Sequence, residues 1–144
     1  DELASATRDA VAQMRTGWTE RVLPSAAKLK AAGARFGLGS DFGGTGIGAG
    51  FLGVMSHIEL ENLVALGLTP AEAIVAGTRT SAEILGLDQL GMVAMGKSAD
   101  FIVLDANPLD DIANTRRIAK VYLRGTEVDR AKLKSKWAGS RASQ

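Results

Sequence analysis

One aspartate, Asp41, stands where a short apolar stretch ends and a glycine-rich loop begins. Residues 35–41 have the composition of a brief buried strand, and the loop from Gly43 to Gly53 contains six glycines and no charged residue. A carboxylate at the end of a strand can act as a general base or as a metal ligand. It can equally cap the turn that follows, and the local sequence alone favours this capping role.

Few other residues could act together with Asp41. The chain has a single histidine, His57, and no cysteine, which excludes disulfides and thiolate metal sites. His57 lies near the start of a stretch that predicts a helix, so it is either a half-buried polar residue bonded to the backbone, which the position favours, or a ligand. The stretch Gly48–Gly53 fits G-x-G-x-x-G, but it begins too far after the strand for a dinucleotide-binding βαβ unit.

The composition is typical of a globular protein. Of the 144 residues 46% are hydrophobic and 23% are charged, and 17 basic residues nearly balance 16 acidic ones. Binding to nucleic acid through phosphate neutralisation requires a basic excess, and no apolar run approaches the ~20 residues that span a bilayer. We therefore expect a soluble protein with no nucleic-acid or membrane partner. The lack of cysteine leaves the compartment open, with the cytoplasm slightly favoured.

The order of elements indicates an α/β protein. Helical periodicity predicts four helices before residue 87, over residues 1–16, from 24 or 25 to 32, from 55 to the glycine at 67, and over 69–85. The last of these begins with Thr-Pro-Ala-Glu, a capping-box sequence. Beyond residue 87 an apolar run predicts a strand at 101–104, Gly125 predicts a bend between two further strands, and a short helix closes the chain.

Three segments together resemble the C-terminal portion of the amidohydrolase superfamily, most closely its imidazolonepropionase-like and Xaa-Pro-dipeptidase-like members. The resemblance covers roughly residues 26–134. Its segments are KAAGARFGLGSDF, HIELENLVALGLTPAEAIVAGTRTSAEILGL and LGMVAMGKSADFIVLDANPLDDIANTRRIAKVYLRGTEVDR. The third is the most specific, because Gly-Lys-x-Ala-Asp precedes an apolar strand and Asn-Pro-Leu.

The resemblance implies a fold in which this chain is one part. We expect a C-terminal fragment of a (β/α)8 TIM barrel together with the C-terminal strands of its small composite β-sandwich. Residues 1–87 would supply terminal helices and the last barrel strand and helix, 88–130 the sandwich strands, and 131–144 a C-terminal helix and tail. The first residue is Asp rather than Met, which also suggests a processed or excised piece.

The resemblance also implies a chemistry for Asp41. In the family, the aspartate at the end of the last barrel strand binds a divalent metal and accepts a proton from the metal-bound water, so Asp41 is the expected catalytic residue and metal ligand. The parent enzyme would hydrolyse an amide, peptide or cyclic amide bond in a small-molecule amide or dipeptide. A His-x-Glu-Leu stretch occurs in the related sequences, which gives His57 a substrate-binding role.

The same resemblance shows what this chain lacks. The family takes its other metal ligands, with zinc the expected metal, from strands that precede the segments found here, so we expect no tightly bound metal in this chain alone. Its partners would be the remainder of the parent barrel or a second copy of itself. The alternative function is a non-catalytic association module, because a barrel strand at 35–41 without neighbours leaves unpaired edges.

Overall fold

The computed structural model describes residue 20 and residues 22–40 and 53–141, with side chains as far as residue 136. Helix α1 covers residues 22–31, so it begins earlier than predicted and ends close to the predicted residue. Helix α2, Val54–Ala65, confirms the helix predicted from residue 55 to the glycine at 67. The helix predicted over residues 1–16 lies outside the described residues.

The helix predicted over 69–85 is confirmed, although its middle is not α-helical. It consists of α3, Pro70–Val75, then a π-helical turn, Ala76–Thr80, then α4, Ser81–Ile84. We call the whole element the central helix. The predicted capping box is present at its start, where the Thr69 hydroxyl accepts from Glu72 N–H and the Glu72 carboxylate accepts from Thr69 N–H. The bond from the Thr69 N–H to the Glu72 carboxylate, followed by those that Lys30 Nζ and the Thr69 hydroxyl donate to it, lowers the pKa of Glu72 to about 2.

The predicted buried strand at 35–41 is wrong for the residues that the structure describes. Residues 34–40 have no regular secondary structure, and only every second side chain is half-buried, those of Phe36, Leu38 and Ser40. This alternation is the period of an extended chain. A strand needs a hydrogen-bonded neighbour, and none of the strands in the described part of the chain pairs with residues 34–40. We call residues 35–40 the extended segment.

A three-stranded antiparallel sheet forms the second half of the described structure. Its strands are β1, Phe101–Leu104, β2, Ile118–Leu123, and β3, Thr126–Glu127, in the order β1-β2-β3. Arg124 and Gly125 form the two-residue turn between β2 and β3, both with positive φ, as this hairpin type requires. The strand at 101–104 and the bend at Gly125 are confirmed.

One helical element precedes the β2–β3 hairpin in the chain and another follows it. A 3₁₀ helix, Ile112–Arg116, connects β1 to β2, and helix α5, Arg130–Arg141, follows the sheet and confirms the predicted C-terminal helix. The helices before residue 85 and the strands after residue 100 agree with the predicted order. The domain bounds at residues 87 and 130 stay a prediction.

Gly91 connects the two halves by a close approach to the central helix. Its φ is +84°, and a Cβ atom there would lie 2.8 Å from both the Thr78 carbonyl oxygen and the Ala82 Cβ. Only glycine fits both the backbone conformation and this distance. The chain that leads to the sheet is therefore in direct contact with the central helix at this point.

The core is small for the apolar surface that surrounds it. Its buried members are Leu63, Leu68, Ala73, Ala76 and Ile112, so it joins α2, the central helix and the 3₁₀ helix. Many large apolar side chains stay exposed, among them Met95, Val93, Leu85, Ile84 and Leu123. None of the helices in the described ranges is long and apolar enough to cross a membrane.

Candidate functional site

The extended segment, which leads directly to Asp41, is bound to the central helix by a side-chain hydroxyl. The Leu38 N–H donates to Ser81 Oγ over 3.0 Å, and the Ser81 hydroxyl donates to the Ala76 carbonyl oxygen over 2.7 Å. Because the hydroxyl has one proton and gives it to Ala76, its oxygen is free to accept from Leu38. The two residues in contact, Leu38 and Ser81, are 43 positions apart in the chain.

Two glycines allow this contact to be close. A Cβ on Gly77, in the π-helical turn, would lie 3.1 Å from side-chain carbons of both Leu38 and Leu60. A Cβ on Gly37 would lie 3.1 Å from Ile84 Cδ1. Both distances are tighter than ordinary van der Waals contact, so at each glycine a side chain of the other element approaches the backbone more closely than a Cβ atom would allow.

Asp41, the predicted catalytic residue and metal ligand, lies outside the described residues. It directly follows Ser40, the last described residue of the extended segment. Within residues 22–40 and 53–141, no three His, Asp or Glu side chains lie close enough together to hold a metal ion. The described part of the chain therefore does not by itself fit a metal centre, and the predicted role of Asp41 stays a prediction.

His57, the predicted substrate-binding residue, is bonded to a side chain of the sheet half. Its Nδ1 lies 3.0 Å from Thr115 Oγ1, and the buried Thr115 hydroxyl donates over 2.8 Å to the Ile112 carbonyl oxygen. The single hydroxyl proton of Thr115 is thus used, so its oxygen accepts from His57 Nδ1–H. This fixes the tautomer of the neutral ring and leaves Nε2 as its acceptor.

Burial and a neighbouring charge keep this ring neutral. Burial first, and then the Arg116 guanidinium, lower the pKa of His57 below 6.5, whereas the Glu61 carboxylate raises it. Arg116 and Glu61 are themselves an ion pair, with Nη2 and Oε1 2.7 Å apart. The ring therefore lies beside a charge pair whose cation has the larger effect on its pKa.

A cavity of about 610 Å³ lies between α2, the π-helical turn and β1. His57 and Thr115 line it together with Leu38 of the extended segment and apolar side chains such as Met92 and Phe101. Its volume lies within the range of small-molecule sites. The cavity is therefore lined both by the neutral His57 ring and by Leu38 of the extended segment.

A second cavity, of about 520 Å³, lies beside the start of the extended segment, where Phe36 and Leu68 line it. Its cations are already paired. Lys30 Nζ lies 2.9 Å from Glu72 Oε2, and Arg35 forms an ion pair with Glu83. The carboxylates of Glu72 and Glu83 therefore offset the positive charge of Lys30 and Arg35, which leaves less of it for binding an anion in this cavity.

The two acidic residues that flank β1, Asp100 and Asp105, form hydrogen bonds with neighbouring parts of the sheet half. The Asp100 carboxylate accepts from Arg124 N–H over 2.7 Å, which connects β1 to the hairpin turn. A hydrogen bond from the Ser98 side chain, and then that from Arg124, lower the pKa of Asp100. Asp105 donates its own backbone N–H to the Arg117 carbonyl oxygen over 2.8 Å.

Ser81 and Thr115 are the two residues of this region that sequence reasoning missed. Each is an ordinary polar residue in a helical stretch, and each acts on a partner that is distant in the sequence, 43 positions for Ser81 and 58 for Thr115. No local pattern distinguishes them from a solvent-exposed hydroxyl. Only the tertiary structure identifies them.

Comparison with known proteins identifies the family to which this chain belongs. The model of the amidohydrolase family matches residues 18–128, which is more than half of the chain. The chain belongs to the amidohydrolase family. The predicted resemblance is thereby confirmed.

Two curated amidohydrolase relatives show how much of the family this chain represents. An imidazolonepropionase from Deinococcus deserti is 36% identical over 133 residues, which cover 87% of this chain and 32% of that protein. An adenine deaminase from Desulfitobacterium hafniense is 38% identical over 73 residues, which cover 51% of this chain and 12% of that protein. The chain thus spans at most about a third of the length of these relatives.

A solved structure supports the predicted α/β fold. A Xaa-Pro dipeptidase with bound methionine in its active site matches with a TM-score of 0.65 at 25% identity, over 76% of this chain and 26% of that one. This likeness and the family match support the amidohydrolase fold, a TIM barrel, for the chain.

We predict that NMR titration of His57, the single histidine, gives a pKa below 6.5. Arg116→Gln should raise this pKa and Glu61→Gln should lower it, because the two charges act in opposite directions.

Since the folded state disfavours the protonated ring, the contribution of His57 to stability is largest above pH 6.5 and decreases as the pH falls through the folded-state pKa. A wild-type pKa at or above 6.5, or shifts of the same sign in both variants, would contradict this.

Proposed function

We propose that this chain is the C-terminal part of a metal-dependent amidohydrolase that hydrolyses an amide, peptide or cyclic amide bond of a small molecule. The family match over residues 18–128 supports the enzyme class. The chain's share of its relatives' length supports the reading that further residues of the enzyme complete the barrel and the composite β-sandwich. Amidohydrolases generally use divalent metal ions, and zinc is the metal we propose.

Asp41 is the carboxylate of the proposed site. The family match over residues 18–128 carries this assignment, and Asp41 directly follows Ser40, the last described residue of the extended segment, in the sequence. When bound, a divalent metal lowers the pKa of a coordinated water toward neutrality. The described residues do not supply the ligand set, so the remaining ligands belong, in this proposal, to other parts of the enzyme.

His57 is the proposed substrate-binding residue, and its geometry limits how it can act. Nδ1 is bonded to Thr115, so only Nε2 can contact a substrate, and in the neutral ring Nε2 accepts a hydrogen bond. The substrate would accordingly present a donor, such as the N–H of an amide. The names of the relatives, an imidazolonepropionase, an adenine deaminase and a Xaa-Pro dipeptidase, are compatible with a nitrogen-containing substrate.

We predict that Asp41→Asn abolishes metal-dependent hydrolysis in the protein that contains this segment together with the rest of the barrel. A positioned general base contributes about 10²–10⁴-fold in rate, so a loss of at least that size is expected. The assay uses a panel of dipeptides and cyclic amides with zinc or manganese, and metal content is measured on the same samples.

Asp105→Asn is the matched control, because this carboxylate follows β1 in the sheet half. It should keep both metal and activity. An Asp41→Asn protein that retains wild-type metal content and rate would overturn the assignment of Asp41.

The second candidate function is an association module without catalysis of its own. Two observations favour it: the large apolar side chains that stay exposed, with Val93 at 84% and Leu85 at 70%, and the lack of a partner strand for the extended segment within the described residues. Exposed apolar surface of this kind marks interaction sites. The partner would be the remainder of the barrel or a second copy of the chain.

We predict that the isolated 144-residue chain self-associates in solution, giving a mass above 15.0 kDa by light scattering. Adding the remainder of the barrel as a separate chain should replace this self-association by a one-to-one complex, because both compete for the same apolar surface. A stable monomer that does not bind the remainder of the barrel would contradict the proposal.

A further inference from the structure

We propose that the cavity between α2, the π-helical turn and β1 holds an apolar group of the substrate, next to an N–H that donates to His57 Nε2. This deepens the proposed function, on which it rests because His57 is taken there as the substrate-binding residue. It names the substrate class as amides that carry an apolar substituent beside their N–H. Every residue that lines the cavity lies in the described part of the chain.

Apolar side chains form most of the cavity wall. They come from each surrounding part of the chain: Leu38 of the extended segment, Leu60 of α2, Ile74 of the central helix, Met92 of the chain that leads to the sheet, and Phe101 of β1. Transfer of an apolar group from water to such a wall is favourable in proportion to the area that it removes from water. The volume of about 610 Å³ suits a group of a small molecule.

Most polar groups of the wall are already bonded within the chain. The hydroxyls of Thr78 and Thr115 each donate to a carbonyl oxygen of their own helix, over 2.6 and 2.8 Å. The Asp100 carboxylate accepts from the Arg124 N–H over 2.7 Å. Because His57 Nδ1 is bonded to Thr115, Nε2 is the ring atom that is left to contact a ligand.

The wall selects an uncharged donor. Burial and the Arg116 guanidinium lower the pKa of His57 below 6.5, so at neutral pH Nε2 accepts a hydrogen bond and donates none. A charged donor would lose its hydration against the apolar wall, whereas an amide N–H supplies the bond without a charge. Ser56, the remaining polar residue of the wall, is exposed, so water can satisfy its hydroxyl whether or not a ligand is bound.

Met92 is the lining residue that we assign to substrate specificity. It follows Gly91, whose close approach to the central helix places this part of the chain beside the cavity. Its side chain is 37% exposed, so it supplies apolar contact to the cavity without belonging to the core. Met95, three residues later, is fully exposed and does not line the cavity. The two methionines therefore form a matched pair for a test.

Three small probes test the cavity by calorimetric titration of the metal-free protein that contains this chain together with the rest of the barrel. N-Methylbenzamide has both a ring and an N–H, methyl benzoate has an oxygen in place of that N–H, and N-methylacetamide lacks the ring. We expect the first to bind at least about fivefold more tightly than either of the others, because each of these loses one of the two contacts. Equal affinities would overturn the proposal.

The two methionines locate the binding. Met92→Ala should weaken N-methylbenzamide binding by about threefold or more, since it removes apolar surface from the wall, while Met92→Leu and the matched control Met95→Ala keep the wild-type affinity. In the 144-residue chain, where His57 is the single histidine, N-methylbenzamide should shift the nitrogen resonance of Nε2 and methyl benzoate should not. An unchanged affinity in Met92→Ala, or an unmoved Nε2 resonance, would overturn the proposal.

Kinetics of the protein with the whole barrel connect the cavity with the substrate. With zinc or manganese present, Met92→Ala should raise KM for an amide with an apolar substituent and leave kcat near its wild-type value, whereas Met95→Ala changes neither. If the cavity binds the probe but Met92→Ala leaves KM unchanged, the cavity is not part of the substrate site and the proposal is overturned. Failure of the proposed function appears separately, as a protein that hydrolyses no amide although titration of its metal-free form shows the cavity occupied.

Discussion

The contact between the extended segment and the central helix is the constraint on which the described structure depends. The central helix contacts the extended segment through Gly77 and Ser81. It also contacts Gly91, which lies in the chain that leads to the sheet. Leu60 of α2 reaches the same glycine, Gly77. One helix therefore contacts the segment that precedes Asp41, the helix that carries His57, and the connection to the sheet half. These contacts together hold the extended segment, α2 and the chain that leads to the sheet against the central helix.

A second contact joins the same two halves through polar groups. His57 on α2 donates to Thr115 in the 3₁₀ helix, beside the ion pair of Glu61 with Arg116. A buried hydroxyl that both donates and accepts restricts the geometry of its partners more than an apolar contact does. The cavity between α2, the π-helical turn and β1 is lined by Leu38 as well as by His57 and Thr115, so the extended segment and the His57–Thr115 contact border the same space.

The parts of the fold that the sequence predicts are those set by local chemistry. The Thr69–Glu72 capping box fixes the start of the central helix, and Arg124 with Gly125 fixes the hairpin turn, because in each case neighbouring residues supply all the required groups. The π-helical turn was not predicted from the sequence, and it lies where Gly77 and Ser81 contact residues far along the chain.

The candidate site is less predictable than the fold for the same reason. A strand was expected at 35–41 because the composition suits one, but strand formation depends on neighbours that the local sequence does not contain. For His57 the sequence predicted a bond to the backbone or a ligand role, and the described partner is instead the Thr115 side chain, 58 positions away. The role of Asp41 came from the family resemblance alone, and it stays a prediction.

The most direct test of the central contact is a set of nuclear Overhauser effects in the full chain. We predict strong cross-peaks from the Leu38 methyl groups to the Gly77 α-protons and to the Leu60 methyl groups, because a Cβ on Gly77 would lie 3.1 Å from both leucine side chains. Absence of these cross-peaks, with the central helix otherwise intact, would show that the extended segment is not bound there and would contradict the account.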